Sequence, residues 1–397
     1  MKFKFYFILF LIFLLIGSGI ITAIYFQKKQ QQRMAEQAFL LAMTAYEKNQ
    51  YDIAEGKLKE LIEKYPGSKN ILQANLVLAR IYKHKNNTEN AVVIWQKLVK
   101  DFSQSNQIAE ALIELANYQY FNKKDYEEGK RLIEDVLKKY PNSEFADMAH
   151  LSLAVYYRDR GSYEKAKELL DQALVKFPNG SAKNDIENVL GDVNFALLTT
   201  RNNLENDEIY VVQKGDKITT IAKKYNIADT LLMRSNGITN PATLRPGRRL
   251  KIPKVNFRIV VDKFNNTLML YNNDKYFKKY PVRTGVYEYQ TPSGKYKIES
   301  KVVNPDWNKP DTGEKIRSGD PRNELGTRWM GFEGSALGIH GTIKPETIGK
   351  YASNGCIGLY MKDVEELYDL VPLGTEIEIV GKQNPDLIDR TNMGINQ

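Results

Sequence analysis

The sequence predicts a multidomain chain: an N-terminal transmembrane helix, an all-α solenoid of helical repeats, a small βααβ module and a mainly-β C-terminal domain with one clear helix. Three observations predict it. The run Phe5 to Phe26 carries no charged residue. Between residues 34 and 200, apolar positions at helical spacing recur with one long period. After Asn256 the apolar positions alternate every second residue, in short runs separated by turn residues.

The N-terminal run, at about 1.5 Å rise per residue, is long enough to cross a hydrocarbon core of roughly 30 Å. It lacks an Ala-x-Ala cleavage site, so residues 1–30 read as an uncleaved anchor. Lys2 and Lys4 precede it and Lys28, Lys29 and Arg33 follow it, so flanking charge does not choose its orientation.

In the repeat region Tyr65, Phe102, Tyr140 and Phe177 stand 37, 38 and 37 residues apart. Upstream of each lies a segment opening at Tyr51, Thr88, Tyr126 or Tyr163, with a small residue at Ala54, Ala91, Gly129 or Ala166. Apolar positions such as Ala166, Leu169, Leu170 and Leu174 fit paired amphipathic helices, and the small residue lets two helices approach closely. Tyr46, Tyr82, Tyr120 and Tyr157 recur once per repeat and are read as packing residues. His84 and His150 have no metal-ligand spacing and are read as helix-packing or surface residues. Residues 34–200 resemble tetratricopeptide repeats of slightly long period, which implies a solenoid that spaces or docks a protein partner.

The polar stretch Thr199 to Glu208 ends the helical period and reads as a linker. From residue 209 to 253 a β-branched run, a Lys-Gly-Asp turn, two short helical patterns and a closing strand give the βααβ order. With YVVQKGD, IAKKY, SNGI and LRPGRRLKIP in sequence, this segment resembles a LysM module. The resemblance implies attachment to peptidoglycan glycan strands. Residues 256–381 form the mainly-β domain, with one helix placing Val364, Leu367, Tyr368 and Val371 on one face, and residues 382–397 a polar tail.

Chemistry concentrates in IHGTIKPETIGKYASNGCIGLY, which holds the chain's only cysteine, Cys356, and one of its three histidines, His340. One cysteine excludes an internal disulfide or a C-x-x-C motif, leaving a buried structural thiol or a reactive one. A thiol becomes a nucleophile when a neighbouring imidazole takes its proton. Their separation of 16 residues permits that contact without fixing it, while Gly355 and Gly358 allow a tight backbone around the sulfur. The formal charge of +9, from 57 basic and 48 acidic residues, suits an anionic surface such as wall polymers or lipid headgroups. The basic residues are dispersed, and no zinc-finger, RNA-binding, HExxH or GxxxxGK[ST] pattern occurs, so no nucleic acid, metal or cofactor is expected.

The segments VDKFNNTLMLYNNDKYFKKYPVRTG, QTPSGKYKI, NPDW, NELGTRWMGF, GIHGT, ASNGCIGLY and VPLGTEIEIV, in this order, resemble the L,D-transpeptidase (YkuD-type) catalytic domain. The resemblance implies that Cys356 attacks a peptidoglycan stem peptide, forming a thioester and releasing D-alanine. His340 is then the general base, and an amine of a second stem resolves the thioester into a 3→3 cross-link. Gly341 lends a carbonyl that orients the imidazole; Ser353, Asn354, Gly355 and Trp329 bind or line the acyl pocket, and Trp307 supports the cleft. The chain departs twice from the family pattern, with Asn354 where a second histidine is common and Gly358 where Arg or Asn usually stands. The wall modules place the bulk of the chain outside the cytoplasmic membrane on a single span. Two alternatives stay open: a carboxypeptidase or hydrolase using the same thioester, and a non-catalytic wall-binding scaffold decayed at Asn354 and Gly358.

Overall fold

The computed structural model describes residues 2–200, 208–286, 288–309 and 312–387, without the side chains of residues 2–17, 20 and 21. Among the described residues no helix is long and apolar enough to cross a membrane; the run Phe5–Phe26 lies largely outside the described side chains. Most of the polar linker and of the polar tail lies outside the described residues as well.

Among the described residues nine α-helices lead the chain: α1 (Lys2–Glu47), α2 (Tyr51–Lys64), α3 (Ile71–His84), α4 (Thr88–Asp101), α5 (Ile108–Asn117), α6 (Tyr126–Lys139), α7 (Ala146–Asp159), α8 (Tyr163–Lys176) and α9 (Lys183–Thr199). They fall into two compact units, Met1–Tyr156 and Tyr157–Gln397, divided within α7. In the first unit the small positions Ala54 and Ala91 are fully buried at helix crossings. Gly129 shows why: a Cβ there would stand 3.0 Å from the carbonyl oxygen of Ala116. The recurring aromatic also ties one repeat to the previous one, since Tyr140 Oη donates to the Ser103 carbonyl, 37 residues earlier, at 2.6 Å. Arg80 grips Glu110 with two nitrogens at 2.5 and 2.6 Å. Tyr46 and Tyr120 are half-buried and pack edge-on against Tyr51 and Tyr126. His84 lies over Tyr51 at 4.2 Å, and His150 Nδ1 is 2.8 Å from the Ala146 carbonyl.

The second unit contains α8, α9, the βααβ module and the C-terminal domain. In the module, β1 (Glu208–Val211) and β2 (Arg249–Ile252) pair antiparallel, with α10 (Ile218–Lys224) and α11 (Asp229–Ser235) between them. Val212, Ile218, Ile221, Leu232 and Leu250 form its small core.

The C-terminal strands are β3 (Phe257–Asp262), β4 (Thr267–Asn272), β5 (Lys275–Pro281), β6 (Thr284–Gly285), β7 (Gly294–Val303), β8 (Trp307–Asn308), β9 (Lys315–Ile316), β10 (Arg328–Phe332), β11 (Gly338–Gly341), β12 (Tyr351–Ser353), β13 (Ile357–Leu359) and β14 (Glu376–Val380), with α12 (Met361–Leu370) before the last. Eight of them form one sheet in the order β13-β11-β10-β7-β14-β3-β4-β5. Alternation decides its faces. Met330, Ile339 and Ile357 stand side by side across β10, β11 and β13 and are fully buried in the core that α12 closes with Val364, Leu367 and Leu370. The next row, Trp329, His340 and Gly358, therefore faces the other way. A slip of one residue would drive the imidazole into the core, so apolar burial at Ile339 and Ile357 holds the site in register.

Candidate active site

The site forms where four segments meet. His340 on β11 pairs with Trp329 on β10 and with Gly358 on β13. Beyond β13, Arg283 forms a further antiparallel bridge to Gly358, with N–H···O distances of 2.9 and 3.0 Å. The residues Trp329, His340, Gly358 and Arg283 thus make one row on one face. Continuing the β11/β13 register back by two residues sets Cys356 opposite Gly338 on that same face.

The turn that presents the thiol is local. Ser353 Oγ donates to the Cys356 carbonyl at 2.5 Å, closing the three-residue turn between β12 and β13. Gly355 inside it has φ +100°, a conformation that side chains rarely adopt. Gly358 has no such φ, so its backbone needs no glycine; the sequence expectation of a tight backbone holds at Gly355 and not at Gly358. The turn is held from outside by Val286, whose N–H donates to the Ser353 carbonyl at 2.9 Å.

His340 is 4% exposed. Its Nδ1 lies 2.5 Å from the Gly341 carbonyl, which favours the tautomer with the proton on Nδ1 and a bare Nε2. Burial, followed by the charge of Arg283, pushes the imidazole down to about 4, against the pull of the Gly341 and Glu324 carbonyls. Burial likewise pushes the Cys356 thiol up, opposed by the Gly338 N–H and the Arg283 guanidinium. The resting groups are therefore a neutral thiol and a neutral imidazole on one face, and among the described residues no hydrogen bond joins them. Such an arrangement can pass a proton as a carbon–sulfur bond forms, without a standing ion pair.

Trp329 stacks on His340 at 6.0 Å, within the same row. Gly341 faces away, toward Met361 and Val364. Asn354 is exposed at the tip of the turn, and Trp307 lies on β8, where it pairs with Ile316 of β9. Arg283 and Glu324 were not singled out from the sequence. A charged residue inside the apolar run YPVRTG was the available signal for Arg283. Among the described residues no cluster of His, Cys, Asp and Glu is arranged to hold a metal.

The L,D-transpeptidase catalytic-domain (YkuD) family matches residues 256–379, the LysM domain residues 210–253, and tetratricopeptide repeats residues 37–68, 73–105 and 113–181. A Bacillus licheniformis protein named as the L,D-transpeptidase YkuD is 32% identical over 177 residues, taking in 43% of this chain and 98% of that protein. Its Bacillus subtilis counterpart is 33% identical over 176 residues, 43% of this chain and 97% of that protein. Among solved structures, an L,D-transpeptidase from Mycobacterium tuberculosis is 19% identical with a TM-score of 0.28; the match covers 32% of this chain and 58% of that one.

Proposed function

The chain belongs to the L,D-transpeptidase (YkuD) family, and from that premise we propose that it is a membrane-anchored enzyme that forms 3→3 cross-links in peptidoglycan. The observation that carries this reading is the register that sets His340 and Cys356 on one face of adjacent strands, with the imidazole buried and neutral.

In the proposed reaction the Cys356 sulfur attacks the carbonyl of the third residue of a donor stem peptide while His340 Nε2 takes the thiol proton. The carbon–nitrogen bond breaks, the proton passes to the departing amine, and D-alanine leaves a thioester on Cys356. The side-chain amine of a second stem then gives its proton to His340 and attacks the thioester, making the amide cross-link and restoring the thiol. The Gly341 carbonyl holds the imidazole in the tautomer this sequence needs. The LysM segment is proposed to keep glycan strands at hand, the repeats to dock a protein partner, and the run Phe5–Phe26 to anchor the chain with its domains facing the wall.

The test is acylation of the protein by a carbapenem, read by intact mass, followed by incubation with purified tetrapeptide muropeptides. One adduct that disappears in Cys356→Ala, and dimers linked 3→3, are expected. Absence of any adduct overturns the enzyme reading, and tripeptides without dimers would make water the acceptor.

A further inference from the structure

Gly358 and Arg283 fill one another's space. A Cβ on Gly358 would lie 2.5 Å from Arg283 Nε and 2.7 Å from its Cγ. Since the Gly358 backbone is ordinary, the arginine is what excludes a side chain there. The family usually carries Arg or Asn at this position, two residues after the cysteine. In this chain a guanidinium reaches the same place from the neighbouring segment.

That guanidinium is 2% exposed and thinly partnered. Nε, the atom lying over Gly358, has no hydrogen-bond partner among the described residues. Nη1 is 3.4 Å from Thr347 Oγ1, and Nη2 is 3.7 Å from Glu324 Oε2, whose carboxylate is also held by Lys344 at 2.7 Å. A buried cation with unused donors is costly unless an anion completes it.

Resting on the transpeptidase reading, we propose that Arg283 binds the free α-carboxylate of the leaving D-residue of the donor stem, so that donors ending one residue beyond the scissile bond are selected. The dimensions agree. In a dipeptide unit the carboxylate carbon lies about 4 Å from the preceding carbonyl carbon. Cys356 and Gly358, two residues apart on one face, are separated by roughly 6.5 Å along the strand direction. A carbonyl over the sulfur therefore brings its neighbouring carboxylate toward the guanidinium over Gly358. The planar fork matches that carboxylate, and the contact engages donors that Thr347 and Glu324 leave unused.

The test compares two synthetic donors, a tetrapeptide ending in D-alanine and the same peptide ending in D-alaninamide, by the rate of Cys356 acylation in the full chain. The unmodified protein should prefer the acid by about 10- to 100-fold in kcat/KM, the discrimination of a charge-assisted contact. Arg283→Gln should bring the two donors to near equality, and Arg283→Ser combined with Gly358→Arg should restore the preference. An unmodified protein that treats both donors alike overturns the proposal whether or not the variants fold, as does a variant that slows both equally. An unmodified protein acylated by neither donor and by no carbapenem would instead overturn the transpeptidase reading beneath it.

Discussion

Trp329 and His340 are register partners whose rings stack with centroids 6.0 Å apart and planes inclined by 22°. Two strand glycines make room for the indole: a Cβ on Gly338 would lie 2.8 Å from the ring, and one on Gly331 2.9 Å from Nε1. The indole thus shields the imidazole from water and fixes its plane. Trp329→Ala should re-wet the ring, raising its titration from about 4 toward 6.5, as followed by NMR. Acylation of Cys356 should slow roughly 10- to 100-fold because the base loses its orientation. An unshifted titration would show that the burial comes from elsewhere.

The same imidazole makes stability depend on pH. His340 titrates at 6.5 as a free side chain and at about 4 when folded, so between these values the unfolded chain binds more protons. Its contribution to stability is therefore complete above about 6.5 and is lost as the pH falls to about 4. The size is on the order of 3 kcal/mol. Urea midpoints at pH 7 and pH 4.5 should differ less in His340→Gln than in the unmodified chain, because carboxylate effects are common to both. Cys356 acylation should fall along the same acid limb, near pH 4.

How much of this was legible in the sequence follows from which forces are local. Period and alternation report which face of an element is buried, so the paired helices and the βααβ order could be read directly. The small residues at Ala54, Ala91 and Gly129 likewise announced close crossings, and each is packed tightly. The thiol and imidazole were legible as residue types, while their common face depended on a parallel pairing between strands that no local pattern encodes. At Gly358 the sequence alone does not separate the two causes of a glycine, conformation and space; only the neighbour Arg283 does. Arg283 itself was hidden by distance, lying 73 residues before Cys356. Nor could a linker composition between residues 199 and 208 show that α9 folds onto the sheet of the C-terminal domain.

That docking is tight at Gly191. A Cβ there would lie 2.8 Å from Lys278 Cγ and 3.3 Å from its Cα, and Asn194 Nδ2 donates to the Phe277 carbonyl at 2.9 Å. The helix thereby covers β5, the edge strand of the eight-stranded sheet, and satisfies one of its carbonyls. Glu187 adds an ion pair to Lys279 at 2.7 Å. Gly191→Val should destabilise the second unit by about 1–3 kcal/mol through overpacking. Asn194→Leu should cost a similar amount by leaving the buried carbonyl bare. Thermal unfolding of the full chain checks both, and an unchanged Tm would mean that the helix is merely apposed.

Arg234, in the last turn of α11, meets Asp369 near the end of α12, with Nη2 and Nε at 2.5 and 2.7 Å from the same carboxylate oxygen. Thr230 Oγ1 adds a bond to the Asp369 carbonyl at 2.9 Å. The βααβ module is therefore fastened to the helix that backs the His340 strand, rather than tethered by chain alone. Because the arginine is half exposed, the ion pair should contribute only about 1 kcal/mol, and Arg234→Ala and Asp369→Ala should each lower stability by roughly that amount or somewhat more. Their double variant should cost less than the sum, since both remove one interaction. Hydrogen exchange in α11 should accelerate in either variant while exchange in β1 and β2 stays unchanged, because the module's own core does not include the pair. Strictly additive effects, with no change of exchange in α11, would mean that the two domains are held by the chain between them and by nothing at this contact.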